Sequence, residues 1–350
     1  MSADEEPGGA GSEGAATGGA ATGGAASEDA AARGDDREAR ATRVDHGVHT
    51  DPAALVEFSS AAEHEHAAAT PSGAVTGYNA RRTLRSGVEL RRQFRRRRTH
   101  LVLGLAVTVP LLLVLAFELG SDDPDRRSGG FIDLATVSAP NFVVVTLLVS
   151  GSFLLPMVVA LFFGDTVASE ASWSSLKYLL AIPVPRLRLL RQKALVAGAL
   201  SVLSLTVLPG VALVAGVIWY GADAAISPTG ESAPFGVSLV NLLLAVIYIV
   251  VQLSWVAGVA MFLSVSTDAP LGAVGGAVLA TIISLMLDQI TALEDLRVVL
   301  PTHHARAWTD LLGNDVDWSA MADGAFTSLC YATLFGILAA RAFARKDVTS

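Results

Sequence analysis

The stretch RRQFRRRRTHLVLGLAVTVPLLLVLAFEL, residues 91–119, decides the fold. Its first eight positions hold six arginines, and residues 101–119 then carry a single charge, Glu118. A helix of about 20 apolar residues crosses the hydrocarbon core of a bilayer. A basic run that turns abruptly into such a segment therefore marks entry into a membrane. The whole chain agrees with its decisive piece. Of 350 residues, 52% are hydrophobic and only 17% charged, and mean hydropathy is +0.50. Apolar residues bunched into long uncharged runs exclude an ordinary soluble enzyme.

Toward the C-terminus, uncharged runs recur at 142–163, 194–220, 237–265, 271–287 and 324–340. With 101–119 they predict an all-α polytopic membrane protein of six spans. An even number puts both termini on one side, and flanking charge says which. Beyond residue 78, 17 Lys and Arg fall on the side of the termini and four on the other: Arg126, Arg127, Arg297 and Arg306. Both termini are thus expected in the cytoplasm. The outer connections are then 121–133, 221–236 and 292–322. In the last, Trp308 and Trp318 are expected at headgroup level, as are Trp219 and Tyr220. The adjacent His303 and His304 read as solvated.

Toward the N-terminus the composition changes. Residues 1–78 hold 4 basic and 14 acidic residues, so the formal charge of −8 belongs to this tail and not to the body. The tail has 12 Gly and 21 Ala but six residues from Leu, Ile, Val and Phe. So little apolar side chain cannot offset the entropy of ordering, and 1–78 reads as a disordered cytoplasmic tail ahead of a six-span body, 79–350. Nine arginines then lie between Arg81 and Arg98. Leu84 with Val88 and Leu90 with Phe94 are i,i+4 pairs on an apolar face. Nucleic acid is one conceivable partner of such a run. Its position just before a span favours anionic membrane lipid instead, so no nucleic acid is expected.

The spans are poor in chemistry. No charge lies near the middle of any of them; Glu118 and Asp288 sit at ends, and Asn241 and Gln252 suit hydrogen bonding between helices. The three lysines, Lys177, Lys193 and Lys346, exclude a GxxxxGK[ST] loop. There is no HExxH and no GxSxG. Gly164-Asp165 is half of a GxGD protease motif, but Phe162 takes the first glycine's place. The single Cys330 reads as a small buried apolar side chain. No catalytic or metal residue is expected, and no cofactor on this chain. A body without a motor needs one from elsewhere.

The most specific stretch joins the second and third spans: GDTVASEASWSSLKYLLAIPVPRLRLLRQK, Gly164 to Lys193. Up to Ile182 it can form a helix with Trp173, Leu176 and Leu180 on one face. Glu170, Ser174 and Lys177 form a neighbouring polar stripe on which Glu170 is expected to be exposed. Pro183 and Pro185 end that helix. On the fifth span Gly272, Gly276 and Ala280 form a small-xxx-small ridge. It is expected to face protein, either a partner membrane subunit or its own bundle.

The segment resembles the coupling region of ABC-transporter permeases of the type-2 exporter class. The matching positions are Glu170, Leu176, Leu179-Leu180, Pro183-Val184, Arg186 and Lys193, with Ser174-Ser175 where the family has Gly-Thr. The resemblance extends loosely over 81–350, through Leu300-Pro301-Thr302-His303, Trp308 and Phe343-x-Arg345-Lys346-Asp347. It implies the transmembrane subunit of an ATP-driven exporter in a bacterial plasma membrane, paired with a second permease copy or homologue. A separate ATP-binding-cassette ATPase would bind ATP and Mg. The helix from Asp165 to Leu180, with Arg186 behind it, would couple to that ATPase. Small hydrophobic compounds are the substrates such membership suggests. The alternative is a six-span membrane anchor or sensor.

Overall fold

A computed structural model describes residues 86–121, 131–172, 185–227, 230–313 and 316–346. The tail 1–78 lies outside these described residues. The described chain is helical apart from two short strands: α1 Ser86–Phe94, α2 Arg97–Ser121, α3 Phe131–Ala135, α4 Ala139–Gly151, α5 Leu154–Ser172, α6 Arg186–Tyr220, β1 Ala225–Ile226, β2 Ser232–Ala233, α7 Phe235–Gln252, α8 Ser254–Ser266, α9 Pro270–Asp288 and α10 Trp318–Arg345. Two 3-10 segments, Thr291–Val299 and Ala307–Leu312, lie between α9 and α10. Among the described residues, six helical segments are long and apolar enough to cross a membrane.

The second span departs from its predicted bounds in a way that matters. A break at Ser152-Phe153 divides it into α4 and α5, and α5 continues past 163 to Ser172. Pro156 accounts for the break, because it lacks an N–H and its ring crowds the carbonyl four residues earlier, that of Ser152. The path from Ala139 to Ser172 is about 50 Å at 1.5 Å per residue, against about 30 Å of hydrocarbon. The two helices together are therefore longer than one straight crossing needs. The fourth span is also interrupted, at Leu253. The third begins at Arg186, after Pro185, so its basic flank is part of the helix. The sixth is extended to Trp318–Arg345, with Asp317 as its N-cap: the side chain accepts from Ser319 N and Ala320 N.

The second and fourth spans form the centre of the bundle and are buried over more than half of their most apolar windows; the first, fifth and sixth lie at its periphery. On α2 a single stripe turns inward, Val102, Ala106, Val114 and Phe117, while Leu101, Leu105, Leu112 and Leu115 face out. That pattern suits a helix with lipid on most sides. Cys330 on peripheral α10 is exposed and not buried, because it lies on the outward side of its helix. α8 packs on both α10 and α5. At Gly258 the α8–α10 approach is so close that a Cβ would come within 2.9 Å of Ala332 Cα.

On α9 the fully inward residues are Ala273, Ala277, Thr281 and Ser284, one helical position round from the predicted ridge. Gly272 is exposed, whereas Gly276 and Ala280 are half-buried. Gly276 meets Leu263 Cδ1 of the same chain. The ridge thus packs in part within its own bundle.

Candidate functional site

The bundle has two polar ends. The first is where the chain enters at α1 and leaves at Lys346. Here α1 folds against α6, but not by the apolar face its sequence suggested. Leu90 turns inward, Val88 and Phe94 are exposed, and the buried contacts come from the polar residues Glu89 and Gln93. Thr99 holds the turn between α1 and α2 by donating to Gln93 O at 2.7 Å.

Glu170 is the hub of this end. It was expected on an exposed stripe, but its side chain is only 4% exposed. Its Oε1 lies 2.5 Å from Lys193 Nζ on α6 and 2.8 Å from Arg92 on α1. Arg92 also donates to Glu89 Oε1, as does Gln93. Five residues earlier on α5, Asp165 pairs with Arg98 and lies 3.5 Å from Arg96. The correction has a plain cause. α5 is still packed against α6 at this level, so the carboxylates point into the cleft that the basic helix closes. Burial alone would push the Glu89 carboxyl up, but hydrogen bonds from Arg92 and Gln93 and the charges of Lys193 and Arg92 hold it below its ordinary value.

Other contacts lock the same end. Ser264 Oγ on α8 accepts from Val167 N and Ala168 N of α5. Gly164 lets α9 approach so closely that a Cβ would meet Val274 N at 3.1 Å. Arg186 donates to the carbonyls of Ala344 and Lys346, both at 3.1 Å. Lys346 reaches Val265 O and Asp268. Of the predicted coupling residues, Asp165, Glu170 and Arg186 are thus placed at this end. Trp173, Ser174, Leu176, Lys177, Leu180 and Pro183 lie outside the described residues.

At the far end the long connection after α9 is sewn into the bundle. Asn241, Tyr248 and Gln252 are spaced by seven and four on α7, and therefore share a face. Each donates to a backbone carbonyl of that connection: Leu311 at 2.7 Å, His304 at 2.6 Å and Pro301 at 2.5 Å. Asn241 and Gln252, expected to bond between spans, serve instead the connection between α9 and α10. Ser284 and Thr302 share a hydroxyl hydrogen bond of 2.7 Å, and His303 Nδ1 lies 2.6 Å from Asp288 Oδ1. His303 is hence paired, not simply solvated. Burial and neighbouring His303 push His304 below its ordinary pKa. Trp308 is 3% exposed and packs into the main core, not at a headgroup surface. Beneath the connection lies a cavity of about 150 Å³, bounded by both helix breaks, at Ser152 and Leu253.

The sequence profile of the family described as ABC-2 family transporter protein matches residues 91–284. That is more than half of the chain, and covers the basic entry, α5 with Asp165 and Glu170, and α6 with Lys193. The chain belongs to the ABC-2 transporter family. No curated protein matches it as a relative. Membership makes this ABC-2 protein a multi-pass membrane component of transport, and the six apolar spans agree with that. Sequence reasoning misses the pairing of His303 with Asp288, the stripe on α7, and the pairing of Arg92 and Lys193 with Glu170. The stripe was visible as spacing; the Glu170 pairings join residues 78 and 23 positions apart.

Proposed function

We propose that this chain is the pathway-forming subunit of an ATP-driven exporter, worked by a separate ATP-binding-cassette ATPase that binds ATP and Mg²⁺. It would act with a second permease, a copy or a homologue, in a bacterial plasma membrane with both termini in the cytoplasm. The observation that carries this reading is the charge hub at the end where α1 and Lys346 lie. Glu170 ties α5, α6 and α1 into one rigid piece, immediately before the segment 173–184 that resembles the family's coupling region.

The mechanics follow from the helix. From Glu170 back to Leu154 α5 is an uninterrupted rod, stiffened by the Ser264 contacts. A push delivered near its Glu170 end is carried along the rod, about 25 Å at 1.5 Å per residue. It arrives at the Ser152-Phe153 break, where missing backbone hydrogen bonding makes a hinge. The far-end cavity lies beside that hinge. ATPase closure would thus tilt α5 and reshape the cavity's wall.

Purification of the tagged full-length chain from its native membranes in mild detergent tests the reading. A cassette ATPase in the eluate, with vanadate-sensitive ATP hydrolysis, is expected. Recovery of the chain without any ATPase, after cross-linking in intact membranes, would leave the anchor reading in its place.

A further inference from the structure

The far-end cavity has features that coupling does not explain. Its walls include two buried indoles, Trp255 and Trp308, with Ile249 and Leu253 beside them. Its polar groups are mostly committed: Gln252 to Pro301 O, Thr281 to Ala277 O, Thr302 to Ser284, and Asp288 to His303. Arg306 is the exception. It lines the cavity, is exposed, and its guanidinium has Ser152 Oγ at 3.5 Å as its hydrogen-bond partner. Among the described residues no carboxylate pairs with it. Aromatic walls with one uncommitted positive charge at the edge form a receptor for an apolar body bearing an anion.

We infer that this cavity is a binding site for a small hydrophobic carboxylate of about one aromatic ring, with Arg306 as its counter-charge. Size sets the ligand's scale, since a cavity of about 150 Å³ accommodates benzene. The ring would lie against Trp255 and Trp308. The carboxylate would meet Arg306, whose planar fork matches two carboxylate oxygens. Asp288 also lines the cavity, with its Oδ1 2.6 Å from His303 Nδ1, so a carboxylate ligand is held only where Arg306 outweighs it, and a preference for a neutral analogue would overturn the assignment. Two copies of the chain are not needed to build the site. The inference stands on the cavity alone and does not depend on coupling to an ATPase.

Gly151 offers a clean way to close the site. It lines the cavity, and a Cβ built there has nothing within 4 Å. Gly151→Leu therefore adds a bulky side chain at the cavity's wall, where a Cβ meets no neighbouring atom. The test uses the full chain in detergent, without any ATPase, and 4-bromobenzoate, whose heavy atom quenches indole emission on contact. Neutral 4-bromobenzamide is the matched control. Saturable quenching by the acid but not the amide is expected. Arg306→Gln should weaken it about ten- to hundredfold, the worth of a charge-assisted hydrogen bond, and Gly151→Leu should abolish it. Quenching that rises linearly, that is equal for acid and amide, or that survives either substitution unchanged overturns the assignment. An intact binding profile in a chain that recruits no ATPase would retain this site while removing the coupling reading.

Discussion

Lys193 Nζ lies 2.5 Å from Glu170 Oε1, with both side chains almost completely buried. Burying either charge alone is costly, and breaking such a pair by removing one partner typically costs about 3–5 kcal/mol. Glu170 therefore cannot be treated as a surface residue that only a partner would miss.

Glu170→Ala should accordingly lower the melting temperature of the purified chain, because Lys193 and Arg92 are left crowded together without their shared carboxylate. An uncharged isosteric pair, Glu170→Gln with Lys193→Met, should recover most of the loss, since neither retains a buried charge. Thermal unfolding in one detergent compares the three. If Glu170→Ala melts like the parent, the buried hub does not hold the helices together.

Acid sensitivity should trace to Glu89. Its folded pKa is depressed, burial being outweighed by Arg92, Lys193 and Gln93. A depressed carboxyl contributes stability in full above its unfolded value, about 4.3, and loses it as pH falls through the lower folded value. Melting temperatures taken from pH 6 to pH 3 should show Glu89→Gln below the parent by a constant amount at the upper end. The gap should narrow below about pH 4.3. A gap independent of pH would assign the effect of Glu89 to packing.

Removing the hydroxyl of Tyr248 should loosen the far-end connection. Tyr248 is buried and donates to His304 O at 2.6 Å. Tyr248→Phe leaves that carbonyl without this donor, at a cost of about 1–3 kcal/mol. Because Asn241 and Gln252 still hold Leu311 and Pro301, the expected result is faster proteolysis within 289–317 and a modestly lower melting temperature. Unchanged proteolysis would mean that the connection is held by Trp308 packing alone.

The spans were legible because membrane crossing is a one-dimensional demand: a run of apolar residues either is long enough or is not. What hydropathy does not measure is where a helix bends. Pro156 stood in the predicted second span as an uncharged residue, yet its missing N–H splits α4 from α5. Burial of Glu170 was out of reach for a different reason. Helical periodicity places it on a polar stripe, but α1 and α6 supply its partners. The Asn241–Tyr248–Gln252 spacing was legible as a shared face, and only the loop's path reveals what that face holds. Trp308 shows the limit of composition: an indole suits a headgroup surface or a core equally well, and packing chose the core.

Two glycines that look alike in sequence should respond differently to a single methyl group. At Gly258 a Cβ would come within 2.9 Å of Ala332 Cα and 3.1 Å of Ala332 O. Those are backbone atoms of α10, so α8 and α10 must move apart, and overpacking of this kind typically costs about 1–3 kcal/mol. At Gly276 the nearest atom is Leu263 Cδ1 at 2.8 Å, the end of a side chain that can change rotamer. Gly258→Ala should therefore lower the yield of folded chain and its melting temperature. Gly276→Ala should be near neutral, as should Gly275→Ala, where nothing lies within 4 Å. Size-exclusion profiles and thermal unfolding of the three variants compare them directly. Close approach across α8 and α10 is wrong if Gly258→Ala is as stable as Gly275→Ala. A partner permease rather than Leu263 limits the α9 ridge if Gly276→Ala leaves the monomer's melting point unchanged and weakens its self-association.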